Sequence, residues 1–135
     1  MTRISIEKVN NDIKTDLMHW VKWLLRIGLS ATFLGHGIIA FKGNEHWLSY
    51  LDTVGLEGAL ALKAMLVIGV LDIVIAVSVL IKPVKYVLYW CVFWTLATAL
   101  IRPLSGESIL QFVERGSNWT VPLVLLLLMH ISKQK

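Results

Sequence analysis

The sequence predicts an all-α membrane protein. The expected architecture is a four-transmembrane-helix bundle with a short interfacial helix after span one and a polar helical connection before span four. Three observations predict it. Of 135 residues, 56% are hydrophobic and 16% charged, with a mean hydropathy of +0.69; soluble domains run about 45–50% apolar and about 25% charged. The apolar residues gather in long runs, and a run of roughly 18 or more is what a bilayer core requires. The basic residues, which give a net charge of +4, cluster beside those runs. Membrane orientation explains that clustering better than nucleic-acid binding does.

Residues 1–19 form a polar tail of mixed charge with a short amphipathic helix from Ile4 to Leu17. No apolar signal-peptide region occurs in it, so the first span is expected to act as the insertion signal. Span one covers about 20–41. Trp20 and Trp23 suit the interfacial aromatic belt, and Lys22 can snorkel there. Gly28, Ala31, Thr32 and Gly35 form a small-residue stripe that predicts close helix contact.

Residues 42–58 follow with a pattern of their own. Trp47, Tyr50, Leu51 and Val54 recur at helical spacing, which predicts a short amphipathic helix at the membrane surface. Span two covers about 59–81, and Lys82-Pro83 ends it. Span three covers about 84–101. Cys91, Thr95, Thr98 and Arg102 make a polar stripe along it, expected to face other helices rather than lipid. Pro103 is expected to stop that helix.

Ser105 or Gly106 can cap a new helix near Glu107, which Gly116-Ser117-Asn118 then breaks or kinks. Span four is the shortest. Residues 119–132 alone would reach about 21 Å, short of a core of about 30 Å. The expected span is therefore about 112–132, with the helix running back through Gly116. A single membrane domain, residues 20–132, results, followed by a tail at 133–135. No internal repeat is evident along the chain.

Four spans put both termini on one side. Arg3, Lys8, Lys14, Lys22, Lys82, Lys85, Lys133 and Lys135 fall on that side. Lys42, Lys63, Arg102 and Arg115 fall on the other. The bias places both termini in the cytoplasm, with the chain in the inner (plasma) membrane.

Two charges lie unavoidably within spans. Arg26 is about 9 Å deep from one face and Asp72 about 13 Å, counted at 1.5 Å per residue. The agreement in depth predicts an intramembrane ion pair, serving either architecture or a carboxylate that binds a proton or ligand. At the outer face His36, Arg102, Glu107, Glu114, Arg115 and Asn118 gather at one depth. They read either as a ligand or partner site, for instance for a quinone head group or a small anion, or as a polar plug that closes the bundle. Arg102 is expected to pair with Glu107 or Glu114 and Arg115 with the other, with Asn118 capping the turn before Trp119.

No HxxxH, CxxC or HExxH pattern occurs, so neither a metal site nor a bis-histidine haem is expected. A single cysteine, Cys91, leaves no pair for a disulfide. No nucleophile–base pair marks an autonomous enzyme.

Taken together, Arg26, the FLGHG run Phe33–Gly37, Gly69 with Asp72, TALIRPLSGES at Thr98–Ser108 and ERGSNWTVPLVLLLL at Glu114–Leu128 resemble the DoxX-like family of small four-helix membrane proteins. The resemblance covers about residues 20–130. It implies a subunit or partner of a membrane oxidoreductase system acting on thiosulfate or thiols, sometimes with quinone. Two functions are weighed. One is an accessory or quinone- or partner-binding subunit of a membrane redox system. The other is a small transporter or permeation unit in which Asp72 titrates. The expected partners are the lipid bilayer, proteins of a membrane complex and further copies of the chain, and no nucleic acid. No cofactor is required, and quinone is the one candidate.

Overall fold

The computed structural model describes residues 3–133, with side chains from Ile6 to Ser132. Six helices and no strand occur among the described residues: α1 (Arg3–Phe41), α2 (Glu45–Thr53), α3 (Gly58–Ile81), α4 (Lys85–Leu104), α5 (Ile109–Glu114) and α6 (Gly116–Lys133). Lys135 and its place in the charge count lie outside the described residues.

Three helices are long and apolar enough to cross a membrane: Ile6–Phe41 of α1, α3 and α4. The first is continuous with the tail. At 39 residues, α1 is about 58 Å long at 1.5 Å per residue. No glycine or proline interrupts it between the tail and Gly28, so tail helix and span join. α6 has 18 residues, or about 27 Å.

The turns follow from local chemistry. Gly43 takes a φ of 71° after α1, which a side-chain-bearing residue rarely adopts. The Asn44 side chain then accepts from the His46 N–H at 3.0 Å and caps α2. Ser108 caps α5 in the same way through Leu110 N–H.

Two expected boundaries move. Pro103 does not stop α4, which continues to Leu104. In the last turn a proline forfeits one backbone bond, and the Ser105 N–H still closes the helix on the Ile101 carbonyl at 2.8 Å. The expected span 112–132 is also interrupted. α5 stops at Glu114 and α6 starts at Gly116, with Arg115 between them outside both helices.

α1 packs along α3 and also touches α6, and α4 packs on α6. Close α1–α3 contact is made by glycines, but not those of the expected stripe. A Cβ on Gly37 would lie 2.8 Å from the Gly69 carbonyl oxygen, and one on Gly69 would lie 2.9 Å from that of Gly37. Ser30 adds a buried hydrogen bond, donating to the Ala76 carbonyl at 2.8 Å. Gly28, Ala31 and Gly35 face away from the bundle, and a Cβ on either glycine would meet nothing within 4 Å. Within the chain, Gly37 and Ser30, not Gly35 and Gly28, lie on the face that α3 covers.

Leu29, Phe33, Ala76, Val79, Leu88, Cys91, Leu125 and Leu126 fuse α1, α3, α4 and α6 into one core. That core sits toward the short Lys82-Pro83-Val84 turn that pins α3 to α4. Toward the opposite end α3 and α4 part, and α2 lies across the gap.

Candidate functional site

The gap is a cavity of about 240 Å³. Each element supplies part of its wall. α1 contributes His36 and Ala40, α3 contributes Met65, Ile68 and Asp72, and α4 contributes Trp94, Ala97, Thr98, Ile101 and Arg102. The amphipathic face of α2 forms the roof: Trp47, Tyr50, Leu51 and Val54 all line the cavity. The periodicity expected to rest on the membrane surface therefore covers this space. Arg115 reaches it from the break between α5 and α6.

The walls are largely apolar and the polar groups are sorted to the two ends. At the end beneath α2 stand His36, Tyr50, Arg102 and Arg115. The His36 ring meets Trp47 edge-on, with centroids 5.6 Å apart. Two turns inward on α3, Asp72 is 4% exposed and lies against the Trp94 indole. The Arg115 Nε is buried without a hydrogen-bond partner among the described residues. Buried N–H groups are rarely left so, and this one belongs to a cavity-lining side chain.

Glu107 fixes the end beneath α2. Tyr50 Oη donates to its Oε1 at 2.5 Å, and Arg102 donates to Oε2 at 3.3 Å. His46 Nε2 lies 3.0 Å from both Glu107 Oε1 and Tyr50 Oη. The Arg102 guanidinium also sits over the Tyr50 ring, 5.0 Å from its centroid. Arg102 is 8% exposed, and a buried guanidinium needs such a counter-charge. The Tyr50 hydrogen bond, then Arg102 and His46, hold the Glu107 carboxyl below the usual carboxylate range. Burial and the same hydrogen bond push the Tyr50 hydroxyl upward.

The structure brings together four of the six outer residues named from sequence. His36, Arg102 and Arg115 line the cavity, and Glu107 holds its roof to its wall. The Arg102–Glu107 pair forms as expected. Glu114 is exposed at the end of α5 and forms no ion pair among the described residues, so Arg115 lacks the carboxylate expected for it. The helix break explains this, since it turns Arg115 inward and leaves Glu114 outside. Asn118 lies inside the first turn of α6 rather than capping it.

The Arg26–Asp72 ion pair is also absent. Arg26 donates to the carbonyls of Val79, Leu80 and Ile81, the unsatisfied C-terminal acceptors of α3, and its guanidinium stacks 4.1 Å over Trp23. Asp72 is seven residues earlier on α3, about 10 Å along the axis. Depth counting could not separate an arginine that caps α3 from one that pairs within it.

Sequence reading missed Tyr50, His46, Trp47, Trp94 and Asp72 as parts of this site. One signal was available: His46 and Tyr50 are four residues apart, on one face of a predicted helix, so they could share a partner.

No protein-family model, curated protein or solved structure compared with this chain matches it. The fold and site define a helical membrane protein with an apolar cavity beneath an amphipathic roof helix. Nothing in the comparisons narrows that class.

Proposed function

We propose that this chain is a four-span inner-membrane protein of DoxX-like type, with both termini cytoplasmic. On this reading its cavity binds a quinone head group for a membrane redox system. The carrying observation is the cavity itself, apolar along its walls and rich in donors at its outer end. A quinone ring is flat and apolar, with carbonyl oxygens that accept hydrogen bonds. Trp47 and Trp94 offer aromatic surface to such a ring, while Arg102, Arg115 and His36 offer donors to its oxygens. The unpartnered Arg115 Nε supports an acceptor at that end. About 240 Å³ falls just below the span of small-molecule sites, about 300–1,000 Å³. That size suits a ring better than a whole lipid. The fourth span is supported by Lys22 Nζ, which donates to Ser132 Oγ at 2.6 Å. The end of α6 thus lies level with the start of the apolar part of α1.

Titrating short-chain benzoquinone or naphthoquinone analogues into purified protein tests this by tryptophan quenching. Saturable quenching should weaken in Trp47→Phe and Trp94→Phe. Affinity should fall roughly tenfold in Arg102→Gln or His36→Ala, as for one lost hydrogen bond to ligand. Lys63→Gln, exposed on α3, should bind as the wild type does. Equal binding by all variants, or no saturable quenching, refutes the proposal.

One observation favours a second reading, a small transporter. Asp72 sits at the inner end of the same cavity, near the middle of α3. Solute-coupled proton flux in liposomes that disappears in Asp72→Asn, without quinone binding, would select it.

A further inference from the structure

The face of α1 that the bundle leaves uncovered carries a regular pattern. Ile6, Leu17 and Gly28 are spaced by eleven residues. So are Val9, Trp20 and Ala31, and so are Ile13, Leu24 and Gly35. All nine are exposed. Eleven residues make three turns at 3.67 per turn, so the pattern stays on one side of a nearly straight helix. It runs from the tail into the membrane span without a break, over about 43 Å at 1.5 Å per residue.

Residue size changes along it in a telling way. Outside the apolar core of the span, the face is Ile6, Val9, Ile13 and Leu17. Four aliphatic side chains in water call for a cover. Inside the span the face passes through Trp20 and Leu24 and then narrows to Gly28, Ala31 and Gly35, with exposed Ile27, Leu34 and Ile38 beside them. Lipid supplies no hydrophobic drive there, and small residues promote association by letting backbones approach. The lipid-facing side of α3 looks different, with exposed Leu62, Leu66, Val70, Val74 and Val77.

We propose that this face pairs with the same face of a second copy, making a parallel α1–α1 dimer. Three arguments choose that occupant. Two copies inserted with the same topology are necessarily parallel, so the eleven-residue pattern meets itself in register about a two-fold axis. Along the tail, Asp12 and Asp16 flank one edge of the stripe and Lys14 the other, with Glu7 further round. The two-fold axis sets each acidic edge against the partner's Lys14 edge. Finally, the pattern spans two solvents and suits each in turn, which a membrane-surface helix or a lipid-facing wall would not require.

Single-cysteine cross-linking in native membranes tests this, in a Cys91→Ser background. Ile13→Cys and Ala31→Cys lie on the face, and Lys8→Cys lies on the far side of the same helix. Oxidation should give a covalent dimer from the first two and leave Lys8→Cys monomeric. Gly28→Leu with Gly35→Leu should shift particle mass in nanodiscs from two chains to one. These leucines point away from the bundle, so thermal stability of the monomer reports separately that the fold is kept. Monomer at all three cysteine positions overturns the proposal. Dimer formed equally from Lys8→Cys, or a two-chain mass that survives both leucines, also overturns it.

Discussion

Glu107 holds the site together by three bonds to three different residues. Its carboxylate accepts from Tyr50 on α2 and from Arg102 on α4, and it meets His46. Its folded pKa lies below its ordinary value. The stability it contributes is therefore present above the unfolded carboxylate range and is lost as pH falls through the depressed value. Thermal melts of detergent-solubilised protein from neutral pH downward should show a destabilisation on the acid side. Glu107→Gln should start lower at neutral pH and lose less on acidification. An unchanged acid profile in the variant would remove Glu107 from its role. At the opposite end, Arg26 holds the C-terminus of α3. Arg26→Gln should cost about 1–2 kcal/mol by leaving carbonyls unpaired. Since Arg26 and Asp72 share no contact, adding Asp72→Asn should be additive within about 0.5 kcal/mol. A strong non-additive term would revive the ion pair.

Among the elements, α1 and α3 show how glycines differ by face. Gly37→Ala or Gly69→Ala puts a methyl group under 3 Å from backbone atoms of the other helix. The helices must then separate, at about 1–3 kcal/mol for such overpacking. Gly28→Ala and Gly35→Ala meet nothing within 4 Å and should leave the fold unchanged or raise its stability by up to about 1 kcal/mol, as alanine favours a helix interior. Chemical denaturation of the four variants, at a detergent concentration where each is shown to be monomeric, measures the contrast. Equal losses at all four positions would mean the crossing is elsewhere. α2 shows the other lesson of this scale. Its apolar face lines the cavity and its polar His46 joins Glu107, so a nine-residue helix serves as lid and clamp.

For the whole molecule the decisive question is the number of crossings. The proposed topology, with α6 as a fourth span and both termini cytoplasmic, puts positions 10 and 134 on the cytoplasmic side and position 52 outside. In intact cells a membrane-impermeant thiol reagent should label Asp52→Cys and spare Asn10→Cys and Gln134→Cys. Labelling of Gln134→Cys with Asn10→Cys still protected would indicate three crossings. Labelling of Asn10→Cys would invert the topology.

The sequence by itself determined the apolar helices and which face of α2 is apolar, but not what that face covers. Apolar length sets α3 and α4, and the spacing of Trp47, Tyr50, Leu51 and Val54 sets the face of α2. An Arg102 pairing with Glu107 or Glu114 was also legible, and the structure chose Glu107, five residues on across a tight turn. Only the tertiary structure decided which faces meet. Gly28 and Gly35 look as suitable for packing as Gly37, and sequence periodicity carries no label for the side on which α3 lies. Arg26 and Asp72 agree in depth, yet the carbonyls that Arg26 binds are backbone groups with no sequence signature. The cavity arises from the parting of α3 and α4, a relation between helices far apart along the chain. Its inward-facing Arg115 depends on a helix break one residue wide, which the small-residue run at 116–118 placed only roughly.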